Sequence, residues 1–301
     1  MSSIVVLGDI NVDIVSLIDG EVHFNSDTSS INRHVVGGSP CNMAAWIAHS
    51  SAGVSLIADV GSDFLGDWAL AQISAGLIDT RHIKRNTGRT GTCVIIVDNN
   101  GQRTMFPDFG ANLVVELDQA RVQAIKVASV LVMSAYTFMR PQTQTLALQA
   151  LEIAKASRTR VVIDAASSAP IRSWGADRVR DFLGQADLVL ANDDEIAELT
   201  IEGHEAWLKS LPNLVIKHGP DGASWWAYGR KRTQLPAKDV VAVDTTGAGD
   251  ALCGGLVARI VMFADWSQVS DADRKTALDS AIATASECCT HIGAWPQGAT
   301  S

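Results

Sequence analysis

The chain has 301 residues, 47% hydrophobic and 19% charged, which supplies one large core and excludes a disordered chain. Its net charge is −9, and no run of Lys and Arg interrupts that balance. Nucleic acid and anionic membrane are therefore excluded as partners, and an anionic cofactor would have to be held by local N–H groups, a metal ion and a few cations. No apolar run reaches the roughly 18–20 residues that span a bilayer. The chain enters Ile4-Val5-Val6-Leu7 without the cationic start or cleavage site of a secretory leader. Cys41, Cys93, Cys253, Cys288 and Cys289 are odd in number and lack metal-binding spacing, so a reduced, cytoplasmic protein is expected.

Taken in order, Ile4–Leu7 reads as a strand, Asn42–Ser50 as an Ala-rich helix and Val54–Val60 as a second strand. Further strands are expected at Ser129–Met133, Val161–Asp164, Leu188–Ala191 and Leu214–Lys217, with helices such as Thr143–Ala156 and Glu195–Thr200 between them. Apolar strands alternating with helices predict an α/β fold, a mostly parallel sheet with helices on both faces. Two segments break the rhythm. The stretch near 14–35 is polar and turn-rich, and 90–109 reads as a hairpin turning at Asn99-Asn100-Gly101, since Asn-Gly is a strong hairpin signal. One domain over 1–301 is expected, with a small antiparallel β lid formed by inserts at about 12–35 and 90–110.

The segment Asp244-Thr245-Thr246-Gly247-Ala248-Gly249-Asp250 precedes a helical run, Ala251-Leu252-Cys253-Gly254-Gly255-Leu256. The amides of Gly247, Ala248 and Gly249 would face outward at a helix N-terminus, an anion-binding arrangement. Such donors stabilise charge on a transferring phosphoryl group. Asp250 would then sit where its carboxylate can take a proton from a nucleophilic hydroxyl. Read alone, the same residues describe an N-cap after an ordinary turn.

The whole chain resembles the ribokinase-like (phosphofructokinase-B type) family of carbohydrate and nucleoside kinases. The resemblance rests on Asp244–Asp250 with Gly254-Gly255-Leu256-Val257, and on Gly37-Gly38-Ser39-Pro40-Cys41-Asn42-Met43-Ala44 followed by Ser51 and Gly61. Weaker landmarks run from Gly8-Asp9-Ile10-Asn11-Val12-Asp13 to Gly293-Ala294. It implies a kinase that uses ATP and Mg2+, with Asp250 as the base and Gly247, Ala248 and Gly249 around the transferred phosphate. It also implies substrate hydroxyls held by Asn11, Asp13, Gly38 and Asn42. Asn192 and Glu195 match a motif that tends magnesium and the phosphates, mostly through water; alone they read as a capping box. Lys217, Gly219 and Gly222 would line the nucleotide site, with His218 an ordinary exposed histidine in the bland reading. Asp244 with Gly293-Ala294 would adjoin a K+ ion, as in many members of the family.

The acceptor is narrowed only partly. The glycine-rich turn lacks the Lys of sugar-phosphate kinases, and Tyr136 stands where ribokinases carry Glu, so fructokinase-like substrates, a small unphosphorylated sugar or sugar acid, are favoured. Phe106 and Phe109 keep a nucleoside acceptor open through base stacking, and Arg103 is a candidate for a substrate carboxylate. Trp225-Trp226 reads as core or edge packing. A dinucleotide-dependent oxidoreductase is disfavoured because Gly8-Asp9-Ile10-Asn11 is not the glycine fingerprint. A non-catalytic binding protein would keep the fold but not require an intact Gly-Ala-Gly-Asp. The exposed lid edge implies a homodimer.

Overall fold

The computed structural model describes residues 4–50, 52–99 and 102–297. Ser51 of the N-terminal motif, and Asn100 and Gly101 of the predicted hairpin turn, lie outside the described residues. The first half contains β1 (Ile4–Leu7), β2 (Asn11–Ile18), β3 (Ser30–Gly37), α1 (Ser39–His49), β4 (Val54–Gly61), α2 (Phe64–Ala75), β5 (Ile83–Asn86), β6 (Gly91–Val97), β7 (Arg103–Asp108), α3 (Gln119–Val127), β8 (Val130–Ser134) and α4 (Pro141–Ser157). Then follow β9 (Arg160–Asp164), α5 (Ser168–Trp174), α6 (Ala176–Leu183), β10 (Leu188–Asn192), α7 (Asp193–Leu199), α8 (Glu205–Ser210), β11 (Asn213–Lys217), β12 (Ala223–Ala227), β13 (Thr233–Leu235), α9 (Ala248–Ile260) and α10 (Asp271–Cys288).

The large sheet runs β13-β12-β11-β10-β9-β8-β1-β4-β5. It is parallel from β11 to β5 and antiparallel only where β12 and β13 are added. The central strands are largely apolar because both faces are covered, whereas the edge strands β5 and β13 are polar and only partly buried. Ile4, Val6, Val130, Val132 and Leu190 pack on one side with α1, α9 and α10. Val5, Leu7, Leu131, Met133 and Val189 pack on the other with α4 and α6. Trp225 is buried and Trp226 is exposed, as core and edge packing of β12 require.

The two irregular inserts form a second sheet of order β3-β2-β6-β7. Each insert is an antiparallel hairpin, and the two join through a parallel β2–β6 pair. The segment that read as a polar, turn-rich stretch is thus strand at both ends, with the turns confined to 19–29 between them. Its residues alternate between a cavity and solvent, which hides the apolar period. The base of the sheet is pinned by Asp63, which caps α2 through Gly66 N (2.8 Å) and also accepts from Thr90 N (2.9 Å) and Thr90 Oγ1 (2.5 Å).

Helix α1 starts at Ser39, three residues before the predicted start. Gly38 turns the chain at φ 96° and Pro40 fits the first turn, where its missing N–H is no loss. Asn42 therefore lies inside the helix, its N–H donating to Gly38 O at 2.9 Å, and is not a cap. Helix α9 crosses α1 at Gly254, where a Cβ would lie 2.6 Å from Trp46 Cβ and 2.9 Å from Met43 O. No helix among the described residues is long and apolar enough to cross a membrane.

A methyl at this crossing has no room. Gly254→Ala is expected to cost about 1–3 kcal/mol of stability by overpacking, measured by denaturant unfolding, with stability equal to the parent contradicting the packing account.

Candidate active site

Asp250 stands in the first turn of α9, whose N-cap, Gly247, adopts φ 76°. A Cβ there would lie 2.4 Å from Ala294 Cβ, so the turn closes against the C-terminal segment only with glycine. The first-turn amides have no intrahelical acceptor; that of Ala248 leans on Thr245 O at 3.3 Å. Gly249 lies directly over Lys217, whose Nζ would be 3.2 Å from a Cβ at that position.

Two groups from α1 meet the carboxylate. Ser39 Oγ donates to Asp250 Oδ1 at 2.7 Å, and Asn42 Nδ2 donates to Oδ2 at 2.8 Å. The orientation of the Asn42 amide is set from behind. Trp295 Nε1 reaches Asn42 Oδ1 at 3.1 Å, and an indole N–H can only donate. The amide oxygen is thus held toward Trp295 and the NH2 toward Asp250.

Asn11 and Asp13 lie on β2, buried rather than in a solvated turn. Asn112 fixes the start of that strand: its Oδ1 accepts Ile10 N (3.0 Å) while its Nδ2 donates to Ile10 O (3.0 Å) and Asn11 Oδ1 (2.8 Å). Burial pushes the Asp13 carboxyl up to about 7, aided by the charges of Asp9 and Asp250. Burial likewise pushes Asp250 up to about 7; Asn42, Ser39 and Lys217 oppose this and Asp164 adds to it. Two such carboxyls in one site titrate as a pair.

Lys217, at the end of β11, donates to Asp164 Oδ2 at 2.7 Å. Its burial would lower the ammonium pKa, but the carboxylates of Asp164 and Glu195, with Asp250 beyond, hold it well above the usual value. A permanent cation is thereby fixed beneath the N-terminus of α9. Asn192 and Glu195 form the full capping box: Asn192 Oδ1 accepts Glu195 N, Glu195 Oε2 accepts Asn192 N, and Glu195 Oε1 accepts Asn192 Nδ2, all at 2.8 Å. Both oxygens of Glu195 are engaged and its residue is 1% exposed, so it suits a magnesium ion only through water. Among the described residues no group of three His, Cys, Asp or Glu forms a direct metal site.

Asp244 is equally occupied. Oδ1 accepts Thr246 N (2.9 Å) and Thr246 Oγ1 (2.6 Å), and Oδ2 accepts Gly293 N (2.9 Å). Burial alone would raise its carboxyl, but these donors, with Arg103 3.9 Å away, hold it below the usual range. With its charge already matched in this way, no step is assigned to a monovalent cation. His218 is not an ordinary exposed residue. Its Nδ1 meets Asp193 Oδ1 at 2.9 Å and its Nε2 meets Ser224 Oγ at 2.8 Å. The Tyr136 hydroxyl, half-buried beside the site, is pushed up to about 12 by burial.

Two cavities meet at this segment. One, of about 350 Å3, lies under the smaller sheet and reaches Asp13, Thr246 and Ala294. The other, of about 430 Å3, is bounded by Lys217, Gly219, Gly222, Gly249, Leu252 and Ile282. Ala242 and Thr245 belong to both, so the strand of chain leading into α9 is their shared wall. Phe106 projects from the face of β7 opposite Arg103, which lines the first cavity. Phe109 is covered by the Arg140 guanidinium, 3.8 Å from its ring centroid. The aromatic pair expected to stack on a base is not formed.

The sequence reading missed Ser39, Asn112, Asp164 and Trp295. Asp164 carried a usable signal, a carboxylate at the C-terminal end of a parallel strand, where ligands of α/β sheets bind. Trp295 carried none, because its contact with α1 depends on the path of the C-terminal segment.

Residues 1–297 match the family model described as pfkB family carbohydrate kinase, and the chain belongs to that family. It is 29% identical to the ATP-dependent ribose-1-phosphate kinase of Halopiger xanaduensis, covering 97% of this chain and 90% of that protein. It is 27% identical to fructokinase-1 of Oryza sativa subsp. japonica, over 84% of this chain and 80% of that one. Its fold matches the Arabidopsis thaliana ribokinase complexed with ribose and ATP at a TM-score of 0.80 and 20% identity, covering 98% and 96% of the two chains.

The indole–amide contact sets an expectation. Trp295→Phe keeps the ring and removes the N–H, freeing the Asn42 amide to turn its oxygen toward Asp250. Turnover is expected to fall by about tenfold or more, the scale of a hydrogen bond to a charged group. The acid limb of its pH profile should move to higher pH. An unmoved limb contradicts the role of Trp295 in orienting Asn42.

Proposed function

We propose that the chain is an ATP-dependent kinase that transfers the γ-phosphate to a hydroxyl of a small unphosphorylated sugar or sugar acid, with Asp250 as general base. The observation that carries this reading is the meeting of two cavities at Thr245, just before α9, with the Asp250 carboxylate, hydrogen-bonded by Ser39 and Asn42, in the first turn of that helix though on the wall of neither cavity. The larger cavity, with Leu252, Ile282 and Ala285 on its walls, takes the adenine. The phosphates run toward Gly247, Ala248 and Gly249, where first-turn amides, the helix dipole and Lys217 gather positive potential. Magnesium bound with ATP would supply further charge neutralisation, with Asn192 and Glu195 reaching it through water.

The acceptor lies under the smaller sheet, its hydroxyls bonded by Asn11, Asp13 and Asn42 and one of them presented to Asp250. Asp250 takes the hydroxyl proton on an oxygen already oriented by Ser39 or Asn42, while the alkoxide attacks in line. The smaller sheet acts as a lid that excludes water, which would otherwise compete as acceptor. Arg103 of β7 ties it to the opposite wall by donating to Thr245 Oγ1 at 2.8 Å and to Thr246 Oγ1. Val94 and Phe106, exposed on the outer face of the lid, are where a second copy would cover apolar surface in a homodimer. Fructokinase-like acceptors are favoured over nucleosides, since Phe106 and Phe109 do not offer a stacking surface.

Asp250→Asn is expected to retain ATP binding and lose at least about 10²–10⁴-fold in turnover; near-normal turnover sinks the assignment. The free enzyme should show kcat/KM rising with pH through an apparent pKa near 7, since burial holds Asp250 there and only the carboxylate accepts the proton. The same shift has a sign in stability. The folded state favours the protonated acid, so the parent loses stability as pH rises through about 7 and the amide does not. Melting temperatures compared at pH 5.5 and 8.5 should therefore diverge in favour of Asp250→Asn at the higher pH; a constant difference contradicts the burial argument.

A further inference from the structure

We infer that the acceptor is a sugar acid, its carboxylate taken up between Arg33 and Arg103 under the smaller sheet. This rests on the kinase reading above and specifies its acceptor. The face of the sheet turned to the cavity is otherwise aliphatic: Val15 and Leu17 on β2, Val35 on β3, Ile95 and Val97 on β6. Arg33 and Arg103 belong to that same face by register, not to the outer one. Arg33 pairs with Val15, Val15 with Ile95, and Arg103 with Val97. They enter from the two edge strands, β3 and β7, and lie beyond Asp13 along β2.

Both arginines keep access to solvent at the rim of the cavity, so neither needs a fixed counter-charge in the protein, and each is free to make charge-assisted hydrogen bonds to an anion that enters between them. Arg33 has no carboxylate at ion-pair distance among the described residues. The nearest carboxylate to Arg103 is Asp244 at 3.9 Å, and both oxygens of Asp244 already accept from Thr246 and Gly293. Arg103 commits one N–H of each terminal nitrogen to Thr246 and Thr245. Three of its five donors remain, enough for a carboxylate or phosphate oxygen. The opposite end of the site is acidic, with Asp13 and Asp250 together and Asp9 near them, paired with Arg140 at 3.3 Å. That field repels an anion and accepts hydroxyl protons, so an acceptor with an anionic end and a hydroxyl end is oriented with the hydroxyl toward Asp250.

The test measures binding without turnover. D-Ribose, D-ribonate and D-ribose 1-phosphate, and D-glucose with D-gluconate and D-glucose 1-phosphate, are titrated calorimetrically into the parent, Arg33→Gln and Arg103→Gln, with ATP affinity measured in parallel. At least one sugar acid should bind about tenfold or more tightly than its neutral parent, a difference of 1.4 kcal/mol. Arg33→Gln should abolish that advantage and leave ATP affinity unchanged. A sugar phosphate that binds more tightly than the matching sugar acid overturns the carboxylate assignment. No sugar acid binding above its neutral parent, an advantage that survives Arg33→Gln, or a loss confined to ATP affinity each overturns the inference. Absence of ATP binding in the parent would instead defeat the kinase reading, and the anion titration would still report on Arg33.

Discussion

The close crossing of α1 and α9 is the constraint on which the site depends. Gly254 lets the two helices approach until no room is left for a Cβ against Trp46 and Met43. Only at that distance do Ser39 and Asn42 reach both oxygens of Asp250. The two helices come from opposite ends of the chain, so Asp250 and its hydrogen-bond partners are joined by core packing and not by local sequence. Trp46 and Trp295 extend the joint. The indole of Trp46 donates to Ala294 O at 2.8 Å, and that of Trp295 to Asn42. The C-terminal segment is thereby fastened against the helix that orients Asp250.

The charges are arranged in opposition. Burial raises Asp13 and Asp250 into the range where a carboxyl can both exist ionised and accept a proton near neutral pH. Lys217 is kept cationic by Asp164 and Glu195. Glu195 can spare its charge for that purpose because its own oxygens close a helix N-terminus. The Asp250 carboxyl and the Lys217 cation, the proposed proton acceptor and phosphate partner, thus both adjoin the first turn of α9. In the proposed mechanism the amides of that turn would serve the phosphate without adding a titrating group.

Much of the fold was legible because the large sheet is covered on both sides, and strands buried on both faces appear as unbroken apolar runs such as Ile4–Leu7 and Leu188–Ala191. Asp250 and its glycines were legible because a left-handed N-cap and an amide cradle demand glycine at fixed spacing. The start of α1 was displaced by three residues because Ser39-Pro40 reads as a turn until Gly38 is known to supply the positive φ. β2 and β3 were obscured because half of their residues face a cavity or solvent instead of a core.

What could not be read were pairings set by register across long sequence gaps. Lys217 and Asp164 meet because β10 holds β9 and β11 in register on either side of it. Arg33 was invisible as an inward residue until its pairing with Val15 was fixed. Asn192 and Glu195 were correctly seen as a capping box, and their fit to magnesium narrows to water-mediated contact because that box consumes both carboxylate oxygens. The central claim is that two substrates meet at Asp250. Its most direct measurement is 31P nuclear magnetic resonance of the protein with MgATP, with and without sugars and sugar acids. The account predicts ADP only in the presence of an acceptor, with one phosphorylated product per ADP. ADP release that is independent of any acceptor, or ATP left intact across every sugar, sugar acid and sugar phosphate tested, would contradict it.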